Sequence, residues 1–197
     1  MPVDLSAIIL SGGSNSRMNG VNKSFLKIAD TTFLEILLQT LRPFFAEILL
    51  VTREPHLYEN FRIKVVPDIY SKQCSLTGIH AGLSHAAHKH AFITACDTPL
   101  LKSELVSLLI QNTSHIDDVV VPKHKEFYEP LCAIYSQNCI QYIENMLSED
   151  NLKIIDLYKY VRLREIWSKQ LKSADPNLES FININTPQDL EWLNSSY

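Results

Sequence analysis

Two stretches of this chain carry residue types that could handle a phosphate. In LSGGSNSRMNGVNK, residues 10–23, glycines 12, 13 and 20 follow the apolar run AII, with Arg17 and Lys23 among them. Glycines leave backbone amides unobstructed by Cβ atoms, and clustered amides suit phosphate oxygens. The two cations would add charge-assisted bonds that a loop serving only to reverse the chain does not require. In AFITACDTP, Asp97 follows an apolar run and precedes Thr98-Pro99, which sets its carboxylate at a strand end facing a crevice. Magnesium takes hard oxygen ligands, commonly one or two carboxylates plus phosphates and water, and Asp97 is the candidate ligand.

The elements around these stretches follow from periodicity. Short apolar runs predict strands at 7–10, 48–52, 64–66, 92–95, 119–121 and 131–135, most of them apolar throughout, as strands covered on both faces are. Between them, Thr32-Phe-Leu-Glu35 has capping-box form, and Leu34, Leu37, Leu38 and Leu41 recur at helical spacing. A second helix is expected near Gly78, and a third carrying Leu101, Leu105, Leu108 and Leu109. A last one follows Thr186-Pro187, where a capping hydroxyl precedes a proline at the first helical position. Residues 136–180 are less periodic, and the run NLKIIDLYKYVRLREI reads as a helix followed by a strand. The alternation predicts an α/β fold: a single-domain, three-layer sandwich on a mainly parallel, Rossmann-like sheet. One domain over residues 1–197 is expected, residues 5–100 binding the first ligand and 101–197 the second.

Composition narrows the function. A formal charge of −4 provides no basic face for nucleic acid or a membrane surface, so neither is an expected partner. The start MPVDLSAIIL lacks a positive flank and no run approaches a membrane span, so a cytoplasmic location is expected. Cys74, Cys96, Cys132 and Cys139 have no CxxC spacing and should be reduced and mostly buried. His85, His88 and His90 lack a neighbouring acidic or thiol ligand, and the first two should lie on a solvated helix face. Trp167 and Trp192, beside aliphatic residues, should pack.

The loop 10–23 fits neither GxxxxGK[ST] nor GxGxxG. It resembles instead the LAGGxxxRMGGxDK signature of the nucleotidyltransferases that make molybdenum cofactor dinucleotides, the guanylyltransferase (MobA) family in particular. Three further segments resemble that family in order: LTGIHAGL at 76–83, CDTP at 96–99 and FININTPQDL at 181–190. Together they span essentially the whole chain.

The resemblance implies transfer of GMP from GTP to the terminal phosphate of molybdenum-bearing molybdopterin, with Mg2+ as cofactor and pyrophosphate released. It implies that Leu10, Ser11 and Gly12 read the base, and that Gly13 and Arg17 meet the triphosphate. Lys23 matches the phosphate-binding lysine, Asp97 the metal ligand, and Thr52 and Asp68 an Asn and an Asp of the nucleotide site. Gly78 would approach the nucleotide. Asp68 would reach the sugar, a water on the metal, or nothing, and an Asp at a strand end also caps turns. Asn183 and Asn185 would present amides to the pterin, although taken without the other motifs a turn before the last helix is the favoured reading. Lys23, Arg17 and Asp97 form the expected catalytic set. A cofactor-donating protein and an apo-molybdoenzyme are implied partners. Ser11, Asn19, Asn22 and Thr52 depart from the resembled pattern, which has Ala, Gly, Asp and Asn there. Asn22 and Thr52 leave open a non-catalytic nucleotide-binding adaptor. A cytidylyltransferase, of molybdenum cofactor or of an isoprenoid-pathway sugar phosphate, is the other alternative, against which Gly12 and Thr98 stand.

Overall fold

A computed structural model describes residues 3–12, 21–68, 70, 72 and 74–196. Its framework is an eight-stranded sheet whose main path runs β10-β7-β9-β6-β1-β4-β5. These strands are β1 (Val3–Ser11), β4 (Phe45–Thr52), β5 (Lys64–Pro67), β6 (His90–Ala95), β7 (Val119–His124), β9 (Cys132–Ser136) and β10 (Leu163–Trp167), with β8 (Phe127–Tyr128) paired to β7. β6, β1, β4 and β5 are mutually parallel. β9 runs against both β6 and β7, so β7 and its parallel neighbour β10 point the same way as β6. β2 (Lys27–Ile28) and β3 (Thr31–Thr32) form a separate small hairpin.

Alternation along the strands divides the core between two faces. Ala7 and Ile9 of β1 meet Leu34, Leu37, Leu38 and Leu41 of α1 (Phe33–Leu41). The same face receives α3 (Ser103–Gln111) through Leu105, Val106 and Leu109, and α5 (Ser168–Ala174) through Leu171. Ile8 and Leu10 point the other way, to Leu76, Ile79 and Leu83 of α2 (Ser75–His85) and to Ile143 and Met146 of α4 (Cys139–Ser148). The layers are therefore helix, sheet, helix, as the alternating pattern predicts.

Local signals hold where capping residues fix them. Thr32 accepts from the Glu35 amide at 3.3 Å while Glu35 accepts from the Thr32 amide at 2.8 Å. α6 (Pro187–Ser196) begins with the Asp189 amide bonded to Thr186 at 3.2 Å. Leu101 is not part of α3: it is buried in the turn before it. Within 136–180, α4 lies under an unassigned run, and NLKIIDLYKYVRLREI resolves into a short 3-10 helix, Ile154–Lys159, then β10. Trp167 and Trp192 are not packing residues, being 49% and 46% exposed, and the Trp167 ring receives the Lys123 ammonium at 4.6 Å. Cys96, Cys132 and Cys139 are buried free thiols, while Cys74 is half-buried.

Candidate active site

Parallel strands deliver their ends to one edge, so the carboxyl termini of β6, β1, β4 and β5 define a common rim. β1 ends at Ser11 and Gly12, β4 at Thr52, β5 just before Asp68, and β6 two residues before Asp97. Gly12 is exposed, with open space where a Cβ would stand. Gly13 and Arg17 lie outside the described residues.

Lys23 opens a 3-10 turn, Lys23–Phe25, and its ammonium donates to Asp97 Oδ2 at 2.9 Å and to Asn185 Oδ1 at 2.6 Å. Three segments remote in sequence thus meet at one nitrogen. The backbone joins two of them directly, since the Ile184 amide donates to the Asp97 carbonyl at 2.9 Å. Asn185 is held in turn by the Asp189 carboxylate, which accepts from the Asn185 amide at 2.9 Å and the Thr186 amide at 2.8 Å. Those amide bonds hold the Asp189 carboxyl below its usual range. Pro187 at the start of α6 and this acid in its first turn fix the path that presents Asn185.

Asp97 is poised for a further ligand. Its Oδ1 is buried and has no hydrogen-bond partner among the described residues. A buried carboxylate oxygen left unpaired costs about 1–3 kcal/mol. A hard cation would satisfy it, and a lone carboxylate supplemented by substrate phosphates is the usual magnesium arrangement. The residues present therefore fit magnesium. Beside them, burial and the Asp97 charge push the Cys96 thiol up to about 11, which keeps it protonated and unreactive.

Other expected residues take different places. Thr52 is buried, its hydroxyl accepting from the Glu54 amide at 3.2 Å. Asp68 accepts from the Thr77 hydroxyl at 2.8 Å and from the Tyr70 amide at 3.2 Å, and lies 3.8 Å from the Arg53 guanidinium. One carboxylate oxygen caps the turn through the Tyr70 amide, and the other is tied to the first turn of α2 through Thr77. β5 is also three strands from β6, roughly 14 Å at the usual spacing, so Asp68 and Asp97 do not converge on one ion. Gly78 is buried in α2, where a Cβ would lie 3.3 Å from Leu10 Cδ2, so its visible constraint is helix-on-sheet packing. Thr98 is buried and its hydroxyl donates to the Ala95 carbonyl at 2.8 Å. Asn183 is exposed, and among the described residues its side chain reaches the Phe181 carbonyl at 3.5 Å.

Two residues around the rim gave no motif in the sequence. Tyr58, in the 3-10 segment Pro55–Phe61, places a buried hydroxyl beneath the Lys23 turn. Glu129 sits between β8 and β9, where burial pushes its carboxyl up to about 7. Neither position is marked by periodicity or by a spaced partner. A depression of about 1030 Å³, lined in part by Asp118, Asn138, Tyr142, Tyr160 and Arg162, lies at the opposite end of the sheet. It contains the Asp118–Arg162 pair, whose nearest contacts are 3.0 Å.

Comparison with known proteins gives the chain a family and a fold. The family described as "MobA-like NTP transferase domain" matches residues 7–163. The molybdenum cofactor guanylyltransferase of Desulfosudis oleivorans is 39% identical over 187 residues, covering 95% of this chain and 93% of that protein. A probable molybdenum cofactor guanylyltransferase of Natranaerobius thermophilus is 36% identical, with 97% and 95% covered. Among solved structures, molybdopterin-guanine dinucleotide biosynthesis protein A from Archaeoglobus fulgidus superposes with a TM-score of 0.84 at 26% identity, covering 98% of each chain. The chain belongs to the MobA-like NTP transferase family, a family of nucleotidyltransferases.

Proposed function

We propose that this protein transfers GMP from GTP to the terminal phosphate of molybdenum-bearing molybdopterin, forming the guanine dinucleotide cofactor and pyrophosphate. The observation that carries the reading is the meeting of Lys23, Asp97 and Asn185, with one Asp97 oxygen buried and without a hydrogen-bond partner among the described residues. Asp97 would hold magnesium, which when bound supplies positive charge to phosphate oxygens.

The chain's own groups bind and orient. In this reading the end of β1, Leu10, Ser11 and Gly12, meets the base, Gly13 and Arg17 serve the triphosphate, and Lys23 with Arg17 offsets charge on the departing pyrophosphate. Asn185 orients the Lys23 ammonium, and with Asn183 it faces the pterin side. A phosphate monoester with a second pKa of about 6 is already largely ionised near neutral pH, so no general base is needed. Its oxygen forms a bond to the α-phosphorus of GTP while the bond to the bridging oxygen breaks. Positioning and charge therefore carry the rate.

The test mixes the purified protein with magnesium, each nucleoside triphosphate in turn and molybdenum-loaded pterin, and identifies products by mass. A guanine dinucleotide formed from GTP alone is expected. A cytosine product would move the activity to CTP, and GTP binding without transfer would make the chain an adaptor.

A further inference from the structure

Ser11 and Asn22 depart from the motif that the loop otherwise resembles, and both are hydrogen-bonded to one residue outside it. Tyr58 is 1% exposed, and its hydroxyl lies 2.6 Å from Ser11 Oγ, 2.9 Å from Asn22 Nδ2 and 3.1 Å from Ser24 Oγ. Ser11 and Ser24 are themselves 2.7 Å apart. One arrangement uses every donor: Tyr58 donates to Ser24, Ser24 to Ser11, Ser11 back to Tyr58, and the Asn22 amide fills the second acceptor site on the phenol oxygen. The other end of the Asn22 side chain accepts from the Ser24 amide at 3.1 Å and caps the 3-10 turn. The ring itself stacks on Phe25 of the same turn, with centroids 5.2 Å apart, and packs against Phe61 at 6.1 Å.

We propose that Tyr58 is a positioning residue for Lys23. Lys23 stands between Asn22 and Ser24, and both are tied to the Tyr58 hydroxyl, so the backbone on either side of the lysine is fixed from below. Ser11, the last residue of β1, anchors the same hydroxyl to the sheet. The ammonium is thereby delivered to Asp97 and Asn185 from a turn whose side-chain cap is Asn22. Asn22 suits this role because its amide can donate to the phenol while its carbonyl caps. A carboxylate at that place would also stand against Glu54, whose Oε2 is 3.5 Å from Asn22 Nδ2.

This rests on the reading of Lys23 as the phosphate-binding lysine, and the test separates the two. Tyr58→Phe keeps the stacked ring and removes the hydroxyl. Amide hydrogen exchange over residues 22–26 of the full chain should rise at least tenfold relative to the parent, without a matching rise in the sheet. With magnesium, GTP and molybdenum-loaded pterin at a temperature where both proteins are folded, kcat should fall 10–100-fold, since a small displacement of a reacting contact has that effect. KM for GTP should change less than threefold. Unchanged exchange at 22–26 overturns the proposal whether or not the parent turns over GTP. Faster exchange with undiminished kcat overturns it too, because the hydroxyl would then serve stability alone. A parent that transfers no GMP would refute the proposed function, and the exchange measurement would still decide the role of Tyr58.

Discussion

Replacing Asp97 by alanine should separate activity from stability. The substitution removes the ion pair with Lys23, in which the two side chains are 15% and 20% exposed. A partly buried pair of this kind contributes about 1–2 kcal/mol. It also removes the buried Oδ1, which has no partner among the described residues, relieving a cost of about 1–3 kcal/mol. Lys23 keeps Asn185 as an acceptor at 2.6 Å. The two changes oppose each other, and the folding free energy should fall between a loss of about 1 and a gain of about 2 kcal/mol, a Tm lowered by no more than about 4 °C for a chain of this size. Activity should respond very differently. If the charge anchored at Asp97 contributes about 4 kcal/mol to the transition state, turnover falls about a thousandfold. Pyrophosphate release from GTP with molybdenum-loaded pterin, titrated with magnesium, reads the activity, and thermal melting reads the fold. Turnover within tenfold of the parent would refute the argument. A Tm lowered by more than about 10 °C would equally sink it, because the carboxylate would then be a structural group.

Gly82→Ala would set a Cβ 2.6 Å from Ile8 Cγ2 on the fully buried face of α2, so melting should show a loss of about 1–3 kcal/mol with kcat unchanged below Tm. Glu129, with its folded pKa raised to about 7 by burial, favours the protonated form. Its contribution is present below about 4.5 and is lost as pH rises towards 7. Glu129→Gln should therefore gain on the parent by about 1–2 kcal/mol across that window, allowing for the carboxyl's partial exposure, as melting at several pH values would show. Asp118 accepts from Arg162 through its backbone amide, Nε and Nη2 and from Asn138, bonds that hold its carboxyl well below the usual range. Asp118→Asn should lower Tm by about 4–12 °C at neutral pH and leave kcat intact. The stabilisation from Asp118 should fade only as pH drops below the ordinary carboxylate range.

Much of the architecture was legible because it depends on neighbours in the chain. Apolar runs set the strands, the Thr32–Glu35 reciprocal cap set α1, and Thr186-Pro187 set α6, all through contacts within a few residues. The family could be read too, since its segments keep their order, and residue type and placement after a strand or glycine loop singled out Asp97 and Lys23, whose side chains meet at 2.9 Å. α4 was missed although Cys139, Ile143 and Met146 recur at helical spacing, because no side-chain capping bond marks its start, and Trp167 was misplaced because half-exposure next to Lys123 leaves no trace in its neighbours.

The sequence by itself determined the strand and helix order and the chemistry available at the ends of β1 and β6. It did not determine partnership. That Lys23 shares its ammonium between Asp97 and Asn185, 74 and 162 residues away, follows from the parallel crossovers that carry each segment back to the same rim. Only the tertiary structure decided that Asp68 serves its own loop and α2, that Gly78 accommodates Leu10, and that Tyr58 sits beneath the lysine turn. The physical reason is that burial and hydrogen-bond pairing depend on which atoms lie within about 3 Å, and no spacing along the chain encodes that across a sheet.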